Sequence, residues 1–140
     1  MNFADILKPG LEARVTDTVT DRNIAHAWGS GGLAVFATPA MIALMEMAAY
    51  SAVQSFLPPL WSTVGTEINI KHTSATPVGM KVSASAKLLT INGKALSFKV
   101  EAFDEAGKIG EGVHERFIVE NERFLARTES KKTSVTETSA

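Results

Sequence analysis

The sequence predicts an α+β domain in which an antiparallel β-sheet wraps around one long central α-helix. A run of about twenty mostly apolar residues, 37–57, predicts the helix. One polar, β-branched run precedes it and four alternating runs follow it, which is typical of strands. Strands with a single helix on one face of the sheet form an α+β plan.

The predicted central helix begins at Thr38 and stops before Pro58 and Pro59. The Thr38 hydroxyl suits an N-cap, and Pro39 suits the first helical position. The segment is apolar on nearly every side, so we expect it to be buried all round. It is long enough to span a membrane, but Glu46 near its middle makes insertion costly, so we interpret it as a core helix.

The strands are expected over residues 11–19, 62–73, 81–91, 95–103 and 109–119. Asn92-Gly93 is a strong hairpin signal between the third and fourth of these. The four runs after the helix are therefore expected to form an antiparallel meander. A sheet wrapped around one helix is the hot-dog fold. One copy leaves an edge strand and part of the helix uncovered, so we expect a homodimer, with further pairing into tetramers left open.

Alternation along residues 62–73 decides which side chains face the helix. If side chains alternate strictly between the two faces, one face of this strand carries Val64, Thr66, Ile68, Ile70 and His72. This apolar face is expected to cover the helix, so His72 is expected on the same side of the sheet as Glu46.

Composition limits the classes of function. The chain has 140 residues, a formal net charge of −1 and no cysteine. A near-neutral chain without a basic stripe is not expected to bind nucleic acid or an anionic membrane. The lack of cysteine excludes disulfides and thiol nucleophiles. With no signal peptide visible at the start, a cytoplasmic protein is expected. We expect one domain over 1–125 and a polar, disordered tail over 126–140.

Glu46 is the first candidate for chemistry. A lone carboxylate inside an apolar helix costs several kcal/mol unless it is paired, hydrogen-bonded or protonated. A solvated surface residue is the usual alternative, but Leu44, Met45 and Met47 surround Glu46. Considered apart from Glu46 and from any motif around them, His72 would be interpreted as a hydrogen-bonded core histidine and Thr38 as a plain N-cap.

Two other motifs are given little weight. The run Gly29-Ser30-Gly31-Gly32 could cradle a phosphate, but it precedes no helix directly and lacks the usual fingerprints, so a lid or connector is preferred. The histidines His26, His72 and His114 show no metal-binding spacing, so no metal is expected.

Several short motifs together resemble one family. They are Phe36-Ala37-Thr38, Leu44-Met45-Glu46, Gly65-Thr66, the 71–77 run Lys-His-Thr-Ser-Ala-Thr-Pro, and the 112–116 run Gly-Val-His-Glu-Arg. Over residues 11–124 the chain resembles the fluoroacetyl-CoA thioesterase family of hot-dog proteins. The spacings from the threonine to the glutamate and on to the histidine match as well.

The resemblance implies a homodimeric hydrolase of acyl-CoA thioesters, which needs no cofactor because CoA is part of the substrate. By position, it implies Thr38, Glu46 and His72 as catalytic residues. It also implies a substrate-binding set: Gly65 near the thioester carbonyl, Arg116 and Phe36. In the fluoroacetyl-specific enzyme, phenylalanines in the lid line the acyl pocket. Here the lid lacks bulky aromatics apart from Trp28 and Phe36, so a different small acyl group is expected.

The chemistry leaves alternatives open. Glu46 can act as the base for a water or attack the carbonyl itself, and His72 can orient it or protonate the leaving thiolate. Thr38 precedes Glu46 by eight residues, about 12 Å along an ideal helix. Either the helix starts later, or the two residues reach the substrate from different sides. Arg116 alternates with Val113, Glu115 and Phe117, so a solvated or dimer-facing residue is the alternative interpretation of Arg116. The alternative function is a non-catalytic acyl-CoA or small-ligand binding module on the same fold.

Overall fold

The computed structural model describes residues 1–138. After a short 3-10 turn at Phe3–Asp5, the elements follow in this order: β1 (Glu12–Thr18), α1 (Thr38–Gln54), β2 (Trp61–His72), β3 (Lys81–Asn92), β4 (Ala95–Asp104), β5 (Gly107–Glu120) and α2 (Asn121–Thr138). The five strands form one antiparallel sheet in the order β1-β3-β4-β5-β2.

The expected four-strand meander is wrong, because only β3, β4 and β5 are consecutive neighbours. β2 lies at the far edge of the sheet and pairs with β5. Two-residue turns join β3 to β4 and β4 to β5. Residues 73–80, in contrast, make an eight-residue connection containing Pro77, which carries the chain past two strands instead of closing a tight hairpin.

The core lies between one side of α1 and the concave face of the sheet. Met41, Met45 and Val53 of the helix are fully buried, as are Phe98 and Val100 of β4. These side chains keep the long apolar helix against the sheet, as the sequence pattern predicts.

The opposite side of α1 is open in the single chain, as expected for one copy of this fold, so the predicted burial all round is not reached within one chain. The Glu46 side chain is 42% exposed, Met47 is 55% exposed and Tyr50 is 40% exposed. They recur at helical spacing and form a stripe along the helix. Ile68 of the adjacent edge strand β2 is also exposed. A five-stranded sheet covers one face of the helix, which leaves this stripe and the β2 edge unpaired.

A bulge in β2 changes which residues face the helix. The pairing with β5 shifts between Gly65 and Glu67, so Thr66 is an extra residue. Gly65 pairs with the buried Arg116, whereas His72 pairs with Gly110 on the same phase of β5. The helix-facing positions are therefore Thr63, Gly65, Ile68, Ile70 and His72. Strict alternation placed His72 correctly but put Val64 and Thr66 on the wrong face.

Residues 121–138 form the helix α2, so the expectation of a disordered tail from residue 126 is wrong up to residue 138. Residues 139–140 of that expectation lie outside the described residues. The helix continues directly from β5, and an i,i+3 ion pair joins Glu129 to Lys132 at 2.9 Å. Such local pairs support a helix that the polar composition alone does not reveal. Within residues 1–138, no helix is both long and apolar enough to span a membrane.

Candidate active site

The first cluster joins the start of α1 to the end of β2. The Thr38 hydroxyl lies 2.8 Å from Nδ1 of His72. Thr38 is the first residue of the helix rather than its N-cap, which is Ala37 without a side-chain hydrogen bond. The predicted capping role is therefore wrong, and the hydroxyl is available to the imidazole.

The His72 ring is held in its neutral form. Burial lowers the pKa of His72 below its usual value of 6.5, and the Ser74 backbone raises it by a smaller amount. Its Nε2 atom is buried and has no hydrogen-bond partner among the described residues. The ring therefore presents one nitrogen to Thr38 and holds an unsatisfied polar atom, which is uncommon outside functional sites.

A cavity of about 350 Å³ opens beside this pair. The glycine-rich segment from Ser30 to Leu33 forms one wall, and the segment from His72 to Ala75 lies opposite. Phe36, almost fully buried, forms part of the lining. The position of this segment as a cavity wall agrees with the interpretation of the glycine-rich run as a lid rather than a phosphate cradle.

The second cluster surrounds Glu46 in the middle of α1. Its Oε2 lies 3.6 Å from Nη1 of Arg116. The buried guanidinium is fixed from the other side, because its Nε donates to the Thr63 hydroxyl at 2.8 Å and its Nη2 donates to the Thr63 carbonyl at 2.9 Å. The interpretation of Arg116 as a solvated strand residue is therefore wrong. Burial lowers the pKa of Arg116 and the Glu46 charge opposes this, so the guanidinium stays protonated.

His114 belongs to this cluster, although it was not among the predicted site residues. Its Nε2 lies 3.2 Å from Nη1 of Arg116, and its Nδ1 lies 2.8 Å from the Glu67 carbonyl oxygen. Because arginine can only donate, Nε2 is the acceptor and Nδ1 carries the proton. Burial lowers the pKa of His114, which keeps this tautomer neutral. The sequence signal that could have identified His114 is its spacing. It is two residues from Arg116 on the same strand, so the two side chains lie on the same face.

Gly65 leaves the space beside the carboxylate open. A Cβ atom there would lie 2.8 Å from Oε2 of Glu46 and 3.2 Å from Cε1 of His114. Glycine is therefore the residue that lets a strand backbone approach the Glu46 carboxylate this closely.

The two clusters do not meet within one chain. The helix is continuous from Thr38, so the possibility of a later helix start is excluded. The rise of an α-helix separates Thr38 from Glu46 by about 12 Å. Among the described residues no hydrogen bond or ion pair joins Glu46 to Thr38 or His72. The same residues contain no group of three His, Cys, Asp or Glu side chains that could hold a metal ion.

Comparison with known proteins decides the family. The model of the family described as FlK, fluoroacetyl-CoA-specific thioesterase, matches residues 19–122. The chain belongs to this family. Its identification from the sequence motifs is confirmed, and the activity of the chain is thioester hydrolysis.

The relatives agree in sequence and in structure. The fluoroacetyl-CoA thioesterase of Streptantibioticus cattleyicolor is 41% identical over 97 residues, which cover 69% of this chain and 70% of that protein. A solved structure of the fluoroacetyl-CoA thioesterase FlK superposes with a TM-score of 0.83 at 32% identity, covering 89% of this chain and 97% of the other.

A hypothetical protein of Thermus thermophilus, a thioesterase superfamily member, superposes with a TM-score of 0.86 at 26% identity, covering 93% of this chain and 96% of that one. The predicted α+β hot-dog fold is confirmed by these neighbours.

Proposed function

We propose that two copies of this chain form a homodimer that hydrolyses a small acyl-CoA thioester with Thr38, Glu46 and His72. The observation that carries the proposal is the position of Glu46. Its carboxylate pairs with the buried Arg116 at 3.6 Å, lies beside the open backbone of Gly65, and is on a face of the molecule that one chain leaves uncovered.

A two-fold axis can join the separated clusters. Along α1 and β2, which run in opposite directions, Thr38 lies beside His72 and Glu46 lies beside Gly65. An axis through the middle of the exposed β2 edge, near Ile68, relates Gly65 of one copy to His72 of the partner subunit. The same axis passes near the midpoint between Thr38 and Glu46 on the helix. It therefore sets the Glu46 carboxylate of one copy opposite the Thr38–His72 pair of the other.

The exposed surfaces support this dimer. The stripe of Glu46, Met47 and Tyr50 on α1 and the unpaired edge of β2 are next to each other. A free edge strand is a template for pairing with another chain. A second copy would cover both surfaces at once and remove Glu46 from bulk water.

The side chains can then share the work of thioester hydrolysis. Glu46 takes the proton from an attacking water, or attacks the carbonyl carbon itself. Backbone N–H groups near Gly65 or at the start of α1 donate hydrogen bonds to the carbonyl oxygen as negative charge develops on it. His72 is neutral at pH 7, which suits an orienting role with Thr38 better than the role of a standing proton donor. Because the CoA thiolate is a good leaving group, little help from an acid is needed.

The acyl group is proposed to occupy the cavity of about 350 Å³ beside Thr38 and His72. Phe36 would contact it, and Gly65 and Arg116 would lie on the carbonyl side. Gly31 and Gly32 in the lid have no side chain to restrict the cavity, so we propose a small acyl group other than fluoroacetyl. Among the structural neighbours, a threonine variant of FlK is bound to acetyl-CoA and a phenylalanine variant to fluoroacetate and CoA.

The test is release of free CoA thiol from a panel of acetyl-, haloacetyl-, short-chain and aromatic acyl-CoAs. Glu46→Gln is expected to lower kcat by about 10²- to 10⁴-fold for the best substrate, the usual contribution of a positioned base. Glu12→Gln, on the exposed side of β1, is the matched control and is expected to keep wild-type rates. Equal rates for wild type and Glu46→Gln would remove Glu46 from the mechanism. Tight binding of acyl-CoA without turnover of any thioester would favour the binding-module alternative.

A further inference from the structure

A second cleft, distinct from the cavity beside His72, lies where α2 leaves the sheet. We call it the α2 cleft. It has a volume of about 170 Å³, and its walls come from the β3–β4 hairpin, the start of β2, the end of β5 and the first turns of α2. The residues that give it its chemistry are Trp61, Lys94, Phe117, Arg123, Phe124 and Arg127.

The α2 cleft carries an excess of positive charge. Lys94, Arg123 and Arg127 line it, against the single carboxylate of Glu120. None of these three cations has an ion-pair partner in the part of the chain that the structure describes. Glu120 is instead used locally, because its Oε1 accepts from the backbone N–H of Glu122 at 2.9 Å. In a chain with a net charge of −1, this concentration of free cations favours an anionic ligand.

Aromatic surfaces lie beside the cations. Trp61 is half-buried, packs edge-on against Phe3 at 5.3 Å between ring centroids, and has the Lys94 ammonium 5.5 Å from its own ring centroid. Phe117 and Phe124 are 41% and 37% exposed. Aromatic rings next to arginines are the combination that binds a nucleobase together with its phosphates.

The position of the α2 cleft suits the far end of a CoA substrate. Trp61 precedes Gly65 by four residues on β2, about 13 Å along the strand. Trp61 and Gly65 are in the same phase of the strand, which faces α1 and Glu46, whereas Phe117 of β5 is in the opposite phase, so the cleft lies at the end of the sheet. In CoA the pantetheine arm separates the thioester from the charged adenosine end. The nucleotide must therefore bind well away from the carbonyl.

We propose that the α2 cleft binds the phosphorylated adenosine end of CoA, with Arg123, Arg127 and Lys94 contacting phosphate and an aromatic ring stacking on the base. This inference rests on the proposed function, since it uses the Glu46 site to orient the substrate. The family match ends at residue 122, so most of α2 lies beyond it. The cleft therefore combines residues inside the family match, Trp61, Lys94 and Phe117, with Arg123 and Arg127 of α2 outside it.

The test compares CoA with pantetheine, which lacks the nucleotide, by titration calorimetry on the full chain. Arg123→Ala combined with Arg127→Ala is expected to weaken CoA binding about tenfold, since each substitution removes one exposed charge contact to phosphate and such contacts are individually weak. Pantetheine binding should not change. Lys131→Ala, which removes an exposed charge on the same helix outside the cleft, is the matched control and should bind CoA as wild type does. In turnover assays the double variant should show a higher KM for acyl-CoA at unchanged kcat.

Several results would overturn the proposal. Equal CoA affinity in wild type and the double variant would overturn the proposal for the α2 cleft while leaving the hydrolase proposal intact. A loss of CoA affinity in Lys131→Ala as large as that in the double variant would overturn it as well. If wild type hydrolyses no thioester but the double variant still loses CoA affinity selectively, the α2 cleft is supported and the hydrolase proposal fails.

Discussion

Gly65→Ala tests whether the Glu46 carboxylate needs its observed position. The added Cβ would lie 2.8 Å from Oε2 of Glu46, closer than real Cβ contacts, so the carboxylate must move by about 0.6 Å to reach an ordinary contact. Glu46 ends a flexible side chain and is 42% exposed in the single chain, so this movement should cost little stability. A misplacement of about 1 Å can cost about 10²-fold in rate. We therefore expect kcat to fall at least about tenfold.

The assay measures kcat by release of free CoA thiol and the free energy of unfolding by urea titration. Gly65→Ala should change the free energy of unfolding by less than about 1 kcal/mol. Gly112→Ala is the contrasting variant, because its Cβ would overlap the Asn69 carbonyl oxygen and lie 2.8 Å from Cα of Ile70. It should destabilise the fold by about 1–3 kcal/mol. Wild-type kcat in a folded Gly65→Ala protein would refute the reasoning about the carboxylate position.

Two further predictions concern the buried charges. Arg116→Lys keeps the charge but loses the paired donors to Thr63, so the free energy of unfolding should fall by about 1–3 kcal/mol in urea titration, and an unchanged midpoint would contradict this. Because burial lowers the pKa values of His72 and His114, the unfolded chain binds protons at higher pH than the folded one. Stability from these groups is therefore present above pH 6.5 and is lost as pH falls below it. The urea midpoint should drop between pH 7.5 and pH 5.5, and less so in His114→Gln; an equal drop would exclude His114 as a cause.

Local patterns in the sequence were sufficient for α1, for the five strands and for the pairing of β3 with β4, but not for α2. Pro39 and Pro58 bracket α1, and Asn92-Gly93 marks the hairpin. They were not sufficient for β2, because a strand's neighbours depend on where a long connection leads rather than on its own residues. The bulge at Thr66 is also invisible in a period of two, yet it turns both Gly65 and His72 toward the helix.

Only part of the site was predicted, because the site also depends on which distant segments come together. His72 was expected on the same side of the sheet as Glu46, and the position of Thr38 relative to Glu46 was left open. The structure places Thr38 and His72 together in a separate cluster, about 12 Å along the helix from Glu46. His114 was missed because its buried environment is made by Arg116 and Glu67, which come together only when β5 pairs with β2. Contacts between distant segments cannot be inferred from the composition of either segment alone.

The most direct test of a shared active site is complementation between two inactive variants. Glu46→Gln and His72→Ala should each be nearly inactive alone. If each site uses Glu46 of one copy and His72 of the partner subunit, a mixed dimer contains one site with both residues intact. Equal mixing with random exchange should restore about a quarter of wild-type activity in a two-fold dimer. Activity of the mixture no higher than the mean of the two variants would contradict a site shared between subunits.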